Sequence, residues 1–191
     1  MRTIGIDIRG GLEDAGICAV EWYPGWAMVD YAGGPQQLNG WDVDSEAAVT
    51  QFAFGGESVS ISGVGPAFER VRDQILSPPE CATLASWWMG GGEVDLDALV
   101  AGLGFNLQGT CGEQPAAVEA RSALLAGVAA GIEGRLQSES VTRDAVREHE
   151  NLFRAFLSAL DARVFCLGMD PSPAVLKGLI GGVIELDEDA V

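Results

Sequence analysis

The stretch Thr3-Ile4-Gly5-Ile6-Asp7-Ile8-Arg9-Gly10-Gly11 decides the fold. Thr3–Ile8 is a short β-branched run, and Arg9-Gly10-Gly11 closes it with a turn signal, so it reads as a strand. One acid, Asp7, interrupts the run near its end. Outward from it, Ala15–Trp22 reads as a second strand, Tyr23-Pro24-Gly25 as a turn and Trp26–Tyr31 as a third strand. Turns this short between three runs predict an antiparallel meander.

Beyond the polar loop Gly33–Gly40, Asp44 or Ser45 caps a helix over Glu46–Phe54, which Gly55-Gly56 ends. Glu57–Gly63 alternates apolar and small polar residues and predicts a fourth strand. Pro66–Leu76 reads as a helix stopped by Ser77-Pro78-Pro79. From Glu80 to Glu113 the pattern is weakest. There Trp87-Trp88-Met89-Gly90-Gly91-Gly92 breaks any regular element, and Asp95–Leu103 reads as a helix capped by Asp95. Phe105–Cys111 and Ala116–Ala120 are strand candidates, and Ser122–Leu136 is an alanine-rich helix. Ser140–Gly168 is the strongest helix, with Val146, Leu152, Phe153, Phe156, Leu157 and Leu160 at helical spacing. Gly178–Leu186 reads as a last strand or an extended arm, and Glu185–Asp189 as an acidic tail. The order predicts one α/β domain over 1–191, with a less regular insertion around 77–113. Its sheet is mixed and five-stranded, an antiparallel meander followed by parallel strands, with helices on both faces.

Composition narrows the function. Of 191 residues, 48% are apolar, so disorder is excluded as the main state. Eleven basic residues face 28 acidic ones, for a net charge of −17. Binding to a long duplex needs clustered Lys and Arg, and adhesion to an anionic membrane needs the same, so both are disfavoured. A short nucleic acid or a nucleotide is the nucleic-acid partner this charge tolerates, and a homodimer is left open. The N-terminus has no long apolar run, and four isolated cysteines (Cys18, Cys81, Cys111, Cys166) read as reduced thiols, so the expected location is cytoplasmic. No CxxC pair and a sole histidine, His149, argue against structural zinc. No Walker motif is present, which excludes P-loop nucleotide hydrolysis.

Ile4-Gly5-Ile6-Asp7 followed by a glycine pair resembles the opening of a family of predicted nucleases of RNase H-like fold, whose first strand reads roughly GIDxxxG. His149-Glu150-Asn151 leading into Arg154-Ala155, Ala159 and Ala162-Arg163 is similar to that family's acidic pair at the head of an alanine-rich helix. Ala117-Val118-Glu119-Ala120 resembles its glutamate-bearing strand, and Lys177-Gly178-Leu179-Ile180 its last strand. The resemblance runs in order over nearly the whole chain. It departs at the fourth strand, where Ser62 stands in place of an acid, and at Arg154, which replaces another. A GID opening is also shared by actin-like ATPase domains, which gives a nucleotide-binding relative of that fold as a further alternative.

The resemblance implies a metal-dependent nuclease or phosphodiesterase. Such enzymes hold two divalent ions about 4 Å apart, which stabilise the attacking and leaving oxygens. Mg²⁺ or Mn²⁺ would need carboxylates on neighbouring elements. The candidates are Asp7 on strand one, Glu119 on or after strand five and Glu150 near the middle of the last helix. Arg9 and Asn151 are the candidate substrate contacts. Each residue also has a plainer reading. Asp7 would bond the Gly10-Gly11 turn, Glu119 would be an exposed strand-end acid, and Glu150 would pair with Arg147 or Arg154 at helical spacing. His149 would be an ordinary surface or core imidazole, and Trp87-Trp88 a buried ring beside an interface ring rather than a base-stacking lid. Ser62 removes one ligand and one charge from the metal set, so an inactive enzyme or a non-catalytic binding module of the same fold is the alternative.

Overall fold

A computed structural model describes residues 1–38, 44–63, 65–76 and 95–181. Strands β1 (Arg2–Asp7), β2 (Gly16–Tyr23) and β3 (Trp26–Gly33) form the expected meander. Helices α1 (Pro35–Leu38) and α2 (Ser45–Ala53) follow, and the Asp44 carboxylate accepts the Glu46 N–H at 2.7 Å to cap α2. Strand β4 (Ser58–Ser62) returns parallel to β1, and α3 (Pro66–Leu76) succeeds it. Next come α4 (Leu96–Gly102), capped by Asp95, α5 (Pro115–Gly131), β5 (Leu136–Ser138), α6 (Ser140–Glu148), α7 (Glu150–Cys166) and α8 (Val175–Gly181). The sheet is mixed, in the order β4-β1-β2-β3-β5, with β5 parallel to β3. Among the described residues no helix is long and apolar enough to cross a membrane.

Alternation along the strands makes two cores. Ile4, Ile6, Ile17, Ala19, Val59 and Ile61 face α2 and α3. Cys18, Val20, Trp22, Ala27 and Val29 face the layer of α4, α5, α7 and α8. Helices therefore cover both faces. The small polar positions of β4 are not solvent-facing, as one-sided alternation would have them. Ser58, Ser60 and Ser62 are all buried, on the side that α7 covers.

Five expectations need correction. The Ser122–Leu136 helix ends at Gly131, and Leu136 opens strand β5. Ala116–Ala120 is the first part of α5, not a strand: Pro115 at the first helical position presets the turn, and the alanine-rich run continues it. Phe105–Cys111 forms turns, because the Asn106 side chain accepts the Gln108 N–H and the Thr110 hydroxyl bonds the Leu107 carbonyl. The long helix over Ser140–Gly168 is two helices. His149 lies in extended conformation between them, and Arg121 takes the Arg147 and Glu148 carbonyls that a continuous helix would have used. Gly178 falls in helix α8, where the Arg163 guanidinium donates twice to the Leu179 carbonyl; the rest of the proposed arm, from residue 182, lies outside the described residues. So do Trp87-Trp88, Gly90–Gly92 and the acidic tail.

Candidate functional site

Register on β1 builds the site. Thr3, Gly5 and Asp7 share the face beneath α7, while Ile4 and Ile6 point to the opposite core. The Thr3 hydroxyl donates to the Ala159 carbonyl at 2.9 Å. A methyl group on Gly5 would run into the Ala155 carbonyl and the Ala159 nitrogen, and one on Gly16 into the Asn151 carbonyl. These two glycines let α7 lie on the strands, backbone against backbone. The helix N-terminus, with Glu150, thereby comes over the end of β1, where Asp7 sits.

Asp7 is 1% exposed. Its Oδ1 accepts from Ser62 Oγ at 2.8 Å and from Arg9 Nε at 3.0 Å, and its Oδ2 from Arg9 Nη2 at 3.2 Å. The same Arg9 Nη2 donates to Glu150 Oε1 at 3.0 Å. Arg154, one turn along α7, donates to that oxygen at 3.0 Å. The other Glu150 oxygen accepts the Gly112 N–H at 2.5 Å. Two carboxylates and two guanidiniums thus form one closed, charge-balanced network, with Arg9 as the bridge. Fork-shaped, charge-assisted bonds of this kind fix geometry more tightly than single neutral ones.

The sequence-derived residues divide accordingly. Asp7, Arg9 and Glu150 meet, and Ser62 joins them as a donor to Asp7. Glu150 heads α7 rather than lying inside a longer helix, and it pairs with Arg154, whereas Arg147 pairs with Asp144 and Glu148. Asn151 is beside the network but serves the fold: its amide nitrogen donates to the Asp14 carbonyl at 2.9 Å. Glu119 stands exposed on α5, apart from the network. His149 is 59% exposed, with Glu113 at 3.9 Å.

This donor set does not fit the metal centre that the RNase H resemblance implies. Both oxygens of Asp7 and of Glu150 are already held by N–H or O–H donors, and a guanidinium lies between the two carboxylates. Among the described residues, no three His, Cys, Asp or Glu side chains stand together as a metal-binding group.

Two features escaped the sequence reading. Arg121 on α5 is fully buried and positions Gly112 through its carbonyl, at 2.6 Å. An arginine within an otherwise alanine-rich helix was the available signal. Farther along the α7-facing side, Ser60 donates to Asp161 at 2.8 Å. Burial pushes the Asp161 carboxyl up, against the lowering effect of that bond.

Burial disfavours the charged form of Glu150, but the Gly112 N–H, Arg9 and Arg154 outweigh it and hold the carboxyl down to about 2. The ordinary value is 4.5. A carboxyl lowered on folding contributes stability above its unfolded pKa and loses it as pH falls toward the folded one. Glu150→Gln removes that component. The stability gap between wild type and E150Q is therefore expected to be full above pH 4.5 and to shrink as the pH approaches about 2. Urea midpoints across that range check it; a gap that stays constant with pH contradicts the network.

No family model matches this chain, and neither does a curated protein or a solved structure.

Proposed function

We propose that the chain is a non-catalytic member of the RNase H-like fold, a binding module in which Arg9 stands where nucleases of that fold would hold metal. The observation that carries this reading is the Arg9 bridge, within 3.0 Å of Asp7 and of Glu150. The antiparallel meander, the parallel return of β4 to β1 and the acid at the end of β1 support the fold. Ser62 as a donor to Asp7, and Glu119 exposed on α5 outside the hydrogen-bond network, support the loss of metal chemistry. The net charge of −17 favours a short nucleic acid or nucleotide over a long duplex as the partner.

Calorimetric titration with Mn²⁺, together with incubation on short single-stranded oligonucleotides, tests this. Wild type is expected to give no saturable heat and no cleavage. Arg9→Ala removes the bridging cation, leaving Asp7 with Ser62 and Glu150 with Arg154 and the Gly112 N–H, and is expected to gain a Mn²⁺ site that Asp7→Asn then abolishes. Saturable Mn²⁺ binding by wild type, or metal-dependent cleavage lost in Asp7→Asn, would overturn the proposal and return the chain to the metal-dependent nucleases.

A further inference from the structure

At the sheet edge remote from β4, helices α5 and α6 and strands β3 and β5 surround a cavity of about 640 Å³. That is within the range of roughly 300–1,000 Å³ typical of small-molecule sites. Val29, Leu125, Leu136, Val146 and Phe156 give it apolar walls. Two of the eleven basic residues of this acidic chain, Arg143 and Arg147, also line it.

Neither arginine is fully used by the fold. Arg143 is exposed, and its guanidinium has no ion-pair or hydrogen-bond partner among the described residues. Arg147 spends Nη2 on Asp144 at 3.4 Å and Glu148 at 2.9 Å, but its Nε is buried with no acceptor. A buried N–H without a partner is costly and needs a reason. In a molecule of net charge −17, an unpaired guanidinium beside an apolar cavity is a local exception to the field.

We propose that this cavity binds a small monoanionic amphiphile, a carboxylate carried on an apolar chain. The chain lies against Leu125, Leu136 and Phe156, and the carboxylate is held by the guanidinium of Arg143, with Arg147 beside it in the cavity wall. The negative charge of Asp144 and Glu148 beside Arg147 penalises a dianion more than a monoanion, which selects carboxylate over phosphate. The proposal is independent of the Arg9 network.

Calorimetric titration of the full chain with octanoate, octanol and octyl phosphate at pH 8 is the test. Saturable octanoate binding is expected, at least tenfold tighter than either comparator. Arg143→Gln, a surface change, is expected to weaken octanoate at least tenfold and leave octanol unchanged. Ala129→Phe, which fills the cavity, is expected to abolish binding, with folding checked by circular dichroism; should it not fold, Arg143→Gln still decides. Absence of saturable octanoate binding, octanol or octyl phosphate binding as tightly as octanoate, or an Arg143→Gln protein that binds like wild type would each overturn the proposal.

Discussion

Gly5→Ala is expected to lower the melting temperature by roughly 6–12 °C. Overpacking here costs about 3 kcal/mol, the upper part of its usual range, and a chain of this size shifts by about 2–4 °C per kcal/mol. The cause is steric and specific. The added methyl meets the Ala155 carbonyl oxygen and the Ala159 nitrogen, which are backbone atoms of a helix and cannot rotate away. Relief requires α7 to lift from β1. That movement also breaks the Thr3 bond to Ala159 and draws Glu150 off Arg9. Gly134→Ala is the matched control. Its glycine has φ +69 with nothing within 4 Å of the new methyl, so only backbone strain is added. That strain is worth about 1 kcal/mol, or roughly 2–4 °C. Thermal melts of the two variants separate crowding from strain. Equal melting temperatures would mean that α7 does not lie against β1 as described.

Four strands of the sheet were legible because they are short, β-branched and separated by strong turn signals, with Asp7 at the end of the first; β5, only Leu136–Ser138, carries no such pattern and was hidden at the end of the Ser122–Leu136 helix. The caps Asp44 and Asp95 were legible for a similar reason, since a side-chain oxygen just before an apolar periodic run is a local signal. What was missed depends on contacts distant in sequence. Nothing near His149 in the chain breaks its helix; Arg121, 28 residues upstream, takes the carbonyls that the break leaves free. The strand assignment at Ala116–Ala120 failed because five residues, four apolar and Glu119, are too few to show a period of their own, and Pro115 at a helix start outweighed it. The site was half legible. Asp7, Arg9 and Glu150 could be named, because acids in the two most regular elements invite attention. Their relation could not be named, because an arginine between two carboxylates and a metal ion between them leave the same acids in the sequence. Gly5 and Gly16 carried the information about how near α7 comes, but a glycine in a strand does not say what fills the space where its side chain would be.

Arg121→Leu is expected to cost about 3–5 kcal/mol, as for breaking a buried charged network. Arg121 has no exposed surface. Its nearest carboxylate, Glu113, is 3.9 Å away and 62% exposed, so a salt bridge is a minor part of its support. Its charge is instead met by four carbonyl oxygens: Arg147 and Glu148 at 2.6 Å, Thr110 at 2.7 Å and Gly112 at 2.6 Å. Two of these are the last carbonyls of α6, the negative end of its dipole, which is where a cation is best placed. Leucine matches part of the volume but leaves all four acceptors without a donor, and each buried acceptor so abandoned costs about 1–3 kcal/mol. The losses are not additive, because water reaches some of these carbonyls once the side chain is gone. Arg121→Lys keeps the charge yet cannot reproduce the planar fork, so it is expected to recover less than half of the loss. A second readout separates positioning from bulk stability. Gly112 is fixed by Arg121 through its carbonyl and donates its N–H to Glu150. In Arg121→Lys the pH-dependent part of stability between 4.5 and about 2 is therefore expected to shrink. Urea unfolding at pH 7 and pH 3 gives both numbers for each variant. If Arg121→Leu stays within about 1 kcal/mol of wild type, or Arg121→Lys matches wild type at both pH values, Arg121 does not hold α5, α6 and the Gly112 loop together.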